Sequence, residues 1–444
     1  MIVDTLLYIV ANTGIALAIG AASRHFGFML MLLVYSLVLS AGGALSMASS
    51  FPMGAGDLPY LAGSDGEGYF EDAVKLAGEG LSNFQDVITT NYAGHQIYLA
   101  GWFGLFGVSL MVAMVANNLL LMLSLLCLFK ASHILTHQPH AALLACLAMM
   151  LNTSHIYHSL LLLKEPAICL AFSLMLLSAA EALKLRGLGF RALVMFLAGT
   201  AIVIAMRGTL LLFVLVLLGF LATLFLKQRL HVLVMLAAVL LLMVPLAQTF
   251  TTYSLDADFI SETVLLNTVV SETLEAGAVD AGGVVGRVSG AYLAWPFTVK
   301  LLLFIVPTSL QLLLPFDFWS TAFLDDHFSA FFGRNLNPLW FLFVAVWALF
   351  ALVKIRRLQD PLMVRLMLAG ATFYVIVAVI YGGAIPRYGA PALYFIYPAI
   401  GHWWLRYRED ESVREEVRAF FRAYYVWLFA LLLPYLALNL VRAV

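Results

Sequence analysis

The sequence predicts an all-α fold, a polytopic transmembrane helical bundle of about 11–14 spans with short helices in its external loops. Of its 444 residues, 63% are hydrophobic and only 11% are charged. The apolar residues fall in separated runs of about 20, the length that crosses a hydrocarbon core of roughly 30 Å. Asp, Glu, Lys and Arg are nearly absent from those runs and gather between them, so the net charge of −1 conceals a strong segregation. Nucleic-acid binding has no support in this pattern.

The first run, 1–22, has no Lys or Arg ahead of it, unlike the leader of a cleaved signal peptide, and is read as a retained span. Further spans are expected near 27–47, 107–129, 139–153, 166–183, 190–206, 209–226, 231–248, 297–315, 339–353, 362–381, 389–405 and 423–441. If they alternate, Lys130, Lys184, Arg186, Arg191, Lys227, Arg229, Lys354, Arg356, Arg357 and the stretch from Arg406 to Arg422 share one side. The positive-inside rule makes that side cytoplasmic. The other face receives three longer segments, 48–96, 249–296 and 316–338, and most of the acidic residues. The run 297–315 then needs to be re-entrant or paired with a second short pass, and Pro307 and Pro315 suit a broken hairpin. The loops are too short to fold alone, so 1–444 reads as a single transmembrane domain. Cys127, Cys146 and Cys169 all lie inside apolar runs and read as small buried hydrophobes rather than a disulfide or redox framework.

Chemistry is expected at the external surface. In the first external loop, Asp65 and Tyr69 stand at i and i+4, followed by the acidic amphipathic stretch Glu71, Asp72, Lys75 and Glu79. A carboxylate there can take the proton of an attacking hydroxyl, which is the role read for Asp65, while Glu67 suits orienting an acceptor or holding a divalent cation. The competing reading is a solvated acidic helix laced by Glu71 and Lys75. Lys164-Glu165-Pro166 places an ion pair at the mouth of a span. Capping chemistry accounts for it, since proline and an acidic residue favour a helix N-terminus; so does a lysine facing a lipid phosphate. Arg207, Arg334 and Arg387, the last followed by Tyr388, stand at external ends of apolar runs against the positive-inside bias. Phosphate recognition explains them through bidentate guanidinium contacts, and snorkelling or pairing with loop acids such as Asp325 and Asp326 explains them without function. His155 and His158 lie one turn apart, but no matching pair elsewhere completes a zinc set; no metal ligands are assigned, and a divalent cation is the one cofactor left open.

The order of these features resembles the GT-C superfamily of membrane glycosyltransferases. The resemblance rests on Asp65-x-x-x-Tyr69, then His95-Gln96-Ile97-Tyr98, Trp102-Phe103-Gly104-Leu105-Phe106-Gly107, Asn117-Asn118, Lys164-Glu165-Pro166 and Pro386-Arg387-Tyr388. It covers most of the chain and is similar in layout to the bacterial envelope branch, with lipid A aminoarabinose transferases and protein mannosyltransferase-like proteins. It implies a bacterial cytoplasmic-membrane enzyme whose active site faces the periplasm. Such an enzyme moves a sugar from a polyprenyl-phosphate-linked donor to a glycan, lipid or protein acceptor. Carried over residue by residue, the base role falls on Asp65 and phosphate binding on Lys164, Arg207 and Arg387. Beside them Tyr69, His95, Glu165, Arg334 and Tyr388 are expected to line the substrate site. Two other readings stay open: a polymerase of O-antigen or exopolysaccharide type using a lipid-linked oligosaccharide, and a lipid or glycan transporter, whose ionisable residues belong at mid-membrane rather than at span ends.

Overall fold

A computed structural model describes residues 2–49, 65–80, 93–184, 189–225, 340–381 and 390–443. Among these residues every regular element is helical. In lipid, a helix satisfies its own backbone polar groups, and so the apolar runs take that form. The chain opens with the antiparallel pair α1 (Ile2–Ser23) and α2 (Phe26–Ser49). Two loop helices come next, α3 (Asp65–Glu79) and α4 (Gly94–Phe106), packed on each other.

α5 (Leu110–Thr136) is the central mast of the bundle, and its ends are written in the sequence. Ser109 is extended and its Oγ accepts from the Met111 N–H, a helix N-cap. At the far end His137 turns left-handed, and Pro139 opens the next helix, α6 (Pro139–Met150). The short helix α7 (Ser154–Leu160) leads to α8 (Glu165–Lys184), which packs along α5 and against α9 (Phe190–Arg207). After α10 (Leu211–Phe225) the described residues resume at a wide helical turn, Phe341–Ala345, that runs into α11 (Val346–Val353). Beyond it come α12 (Pro361–Tyr381), α13 (Tyr397–Glu409) and α14 (Glu411–Ala443).

Five helices among the described residues are long and apolar enough to cross a membrane: Asp4–Ser23, Phe26–Ser46, Leu110–Thr136, Glu165–Ala182 and Phe190–Arg207. The expected runs near 3–22, 27–47, 107–129, 166–183 and 190–206 correspond to them. The expected spans 231–248 and 297–315, and the loops 249–296 and 316–338, lie outside the described residues. One boundary differs in kind. The charged stretch up to Arg422, expected as a surface connection, is helical from Glu411 and continuous with the apolar run after it. Its period carries Val413 and Val417 inward, so a charged sequence still has a face to bury.

Close helix contacts come from small residues, as expected where apolar surface gains nothing by leaving lipid for protein. Gly401 of α13 lies against the backbone of Ala141 and Ala145 on α6. Larger rings fill the middle: Phe172 stacks on Phe213 at 4.2 Å between centroids, with Phe373 and Phe395 edge-on around them. Polar glue joins α1, α2, α5 and α7. Asn118 Nδ2 donates to Tyr8 Oη (2.8 Å) and Asn12 Oδ1 (3.2 Å), Asn12 Nδ2 donates to Ser40 Oγ (3.2 Å), and Ser159 Oγ donates to Asn118 Oδ1 (2.7 Å).

The antiparallel packing sorts the charged residues by end. Lys164 and Glu165 start α8 and Arg207 finishes α9 at one end, beside α3 and α4. At the other end Arg191 meets Glu181 (3.2 Å), Lys354 (2.8 Å) and Arg357 (2.7 Å) share Glu416, and Arg406 meets Asp410 (3.2 Å).

Candidate functional site

The end that holds Lys164 gathers what the rest of the bundle excludes. Tyr69, Asp72, His95, Lys164, Glu165 and Arg207 are all buried there or in the adjoining loop helices, none more than 8% exposed. Lys, Glu, Arg and Asp are rarely buried without a reason, and in a membrane protein least of all. Arg207 Nη2 donates to Glu165 Oε1 at 3.1 Å, tying the end of α9 to the start of α8. The ammonium of Lys164 sits 5.4 Å from the centre of the Tyr69 ring, a cation–π contact that hooks α3 over the α8 terminus. Tyr69 in turn meets His95 edge to face at 5.4 Å.

Three local devices put these groups in place. α3 carries an apolar face, and Tyr69 and Asp72 are both on it, three residues apart. α4 begins at Gly94, where a Cβ would lie 2.6 Å from the carbonyl oxygen of Ala205; only glycine lets the first turn of α4 close against α9, two residues short of Arg207. Before Lys164 the helix breaks. Leu162 has φ of +53°, a conformation that costs a leucine about 1–2 kcal/mol, and its carbonyl is engaged by His95 Nε2 at 2.8 Å. The next carbonyl, of Leu163, accepts from Asn117 Nδ2 at 3.2 Å. An irregular turn at this depth is held because protein donors replace the missing helical ones.

The Leu162 carbonyl can only accept, so His95 Nε2 carries the proton and Nδ1 presents a lone pair. Burial pushes the His95 pKa down to about 4, with the charge of Lys164 acting in the same direction and the Leu162 bond and Glu165 opposing. The ring is therefore neutral across the physiological range. His155 on α7 is likewise held neutral, its pKa pushed down to about 3 first by burial and then by His158. Its Nδ1 faces Cys169 Sγ at 3.6 Å. Among the described residues no group of three metal-binding side chains forms.

Of the residues singled out in the sequence, the structure brings Tyr69, His95, Lys164, Glu165 and Arg207 into one connected group. Asp65 is the first residue of α3, exposed, one turn before Tyr69, and Glu67 is half-buried in the same turn. Acidic residues here also favour the helix N-terminus. Arg334, Arg387 and Tyr388 lie outside the described residues. Asp72, which the sequence places in an acidic amphipathic stretch with no role assigned, is buried, 2% exposed. The signal was available: Tyr69, Asp72, Ala73 and Leu76 recur at helical spacing. The buried Gln96, beside His95, was likewise unassigned. Comparison with protein-family models, curated proteins and solved structures gives no match to this chain.

Proposed function

We propose that this protein is a membrane glycosyltransferase of GT-C type in the bacterial cytoplasmic membrane. It moves a sugar from a polyprenyl-phosphate-linked donor to an envelope glycan, lipid or protein acceptor on the external side. One observation carries the reading: a buried lysine, arginine and glutamate at adjoining helix ends, capped by the tyrosine of a loop helix whose exposed first residue is a carboxylate. The arrangement suits the two demands of glycosyl transfer from a lipid phosphate. Fixed cations in a low-dielectric setting stabilise the phosphate as it leaves, and a solvent-accessible carboxylate one helical turn away takes the acceptor proton. In this reading Asp65 is the base and Lys164 the phosphate contact, and Glu165 holds Arg207 beside it. His95, neutral and hydrogen-bonded to Leu162, supports the turn that presents Lys164 and lines the donor site.

Transfer of labelled sugar from polyprenyl donors, measured beside donor binding, tests it. Asp65→Asn keeps the shape but not the basic lone pair, so transfer should fall about 10²–10⁴-fold with donor binding retained. Lys164→Ala should lose binding and transfer together. A folded Asp65→Asn protein transferring at the wild-type rate would refute the assignment. Running the assay with lipid-linked oligosaccharide as donor separates a transferase of single sugars from a polymerase.

A further inference from the structure

A groove of about 850 Å³ opens between α11, α13 and α14, lined by Arg418 and Arg422 toward the end opposite Lys164 and by Leu151 and Phe343 as well. Its walls are aromatic: Trp347 of α11, Trp404 and Tyr407 of α13, Phe421 and Tyr425 of α14. The rings brace one another, with Trp347 stacked 5.8 Å from Trp404 and edge-on to Tyr407 at 5.6 Å and Phe421 at 4.9 Å. Tyr425 is fixed by donating its hydroxyl to the Leu342 carbonyl at 2.7 Å. The groove is therefore rigid and apolar, except that Arg418 and Arg422 also line it.

Those two arginines are anomalous. They stand one turn apart on α14, both exposed, and like charges at that spacing repel. Two acids at this end are engaged by other cations, Glu416 by Lys354 and Arg357 and Asp410 by Arg406. Among the described residues neither Arg418 nor Arg422 reaches a carboxylate; Arg422 Nε makes one long bond to the Arg418 carbonyl, 3.4 Å. The depth of the pair is fixed by Val426, Trp427 and Phe429, which begin one turn beyond Arg422 and are large, apolar and exposed, the mark of a lipid-facing surface. One turn of helix is about 5.4 Å. If that exposed apolar surface faces lipid, the arginines stand at headgroup level, the depth at which tryptophan and tyrosine such as those lining the groove also gather.

We propose that this groove binds one acidic phospholipid, its phosphate held by Arg418 and Arg422 and an acyl chain laid along the aromatic wall. The site is separate from the Lys164 end and does not depend on the reaction proposed there. The test uses the full-length protein in detergent, with phosphatidylglycerol and phosphatidylcholine of equal chain length as probes, read by native mass spectrometry and thermal unfolding. Wild type should retain one phosphatidylglycerol, prefer it over phosphatidylcholine by about tenfold or more, since each interfacial arginine attracts an anionic headgroup, and unfold at a higher temperature in its presence. Arg418→Gln/Arg422→Gln should erase the preference, while Arg356→Gln/Arg408→Gln, exposed at the same basic end and absent from the groove lining, should keep it. Inorganic phosphate at millimolar concentration should not displace the lipid. Equal retention of the two lipids by wild type overturns the proposal even if the double variant does not fold. So does an unchanged preference in a folded Arg418→Gln/Arg422→Gln protein.

Discussion

At the scale of single residues, the buried pair Glu165–Arg207 and the buried ring of His95 make opposite kinds of contribution. Removing one partner of a desolvated ion pair takes a counter-charge from the other, which costs about 3–5 kcal/mol. Arg207→Ala should therefore destabilise by that order, and Glu165→Ala/Arg207→Ala should recover part of it, as denaturation in detergent would show. His95 acts through protons. Its folded pKa, about 4, lies below the ordinary value of 6.5, so the unfolded chain binds the proton first. Stability is then full above pH 6.5 and is lost as pH falls from there toward 4. His155 adds to the same slope with its own window reaching to about 3. His95→Gln, which keeps a donor near the Leu162 carbonyl, should flatten the acid limb of a stability profile between pH 6.5 and 4; an unchanged limb would mean that folding does not shift the His95 pKa. The contacts among these residues leave no trace in residue identity, though some of the residues do. Lys164, Glu165 and Arg207 stood out in the sequence because charge is rare there. Asp72 did not, because four acidic neighbours made it look like one more solvated group.

Elements were more legible than the contacts between them. Runs of about 20 apolar residues announce α1, α2, α5, α8 and α9 without ambiguity, and Ser109 and Pro139 mark helix starts by capping rules alone. Tertiary pairing leaves no such local trace. Nothing in Gly94-His95 states that α9 passes within van der Waals reach, or that a break after α7 awaits a histidine from α4. The geometry makes that contact specific: Gly94→Val should push the first turn of α4 off Ala205, withdrawing His95 from Leu162. Under the proposed function the expected outcome is a loss of donor binding out of proportion to the loss of stability, whereas Gly101→Val, where a Cβ meets nothing within 4 Å, should change neither. Asn118 offers a second handle. Asn118→Ala breaks bonds to Tyr8, Asn12 and Ser159 at once, and at about 0.6–2 kcal/mol each between membrane helices it should loosen α1 from α5.

For the molecule as a whole, sidedness is the property most directly read from sequence and most simply checked. Lys and Arg clusters recur at one end of successive helices, and the structure keeps Asp65 at the opposite end from Arg356. Cys127, Cys146 and Cys169 are all buried, so cysteines introduced at exposed positions report against a silent background. Asp65→Cys in cells should react with a membrane-impermeant thiol reagent from outside, and Arg356→Cys only after the membrane is opened. Labelling of both from outside would contradict the alternating arrangement.

The contact between Glu165 and Arg207 has a bearing on biogenesis. These residues are the two free ends of the hairpin formed by α8 and α9, and each alone presents the insertion machinery with a charge beside an apolar span. A translocon that released the helices one at a time would meet that opposition twice. Released together, with the hairpin already closed at its open end by the ion pair, they enter with those two charges neutralising each other. A glycosylation-site reporter placed after α9 should then show Glu165→Ala or Arg207→Ala as a deficit in chain insertion, visible before any question of catalysis arises.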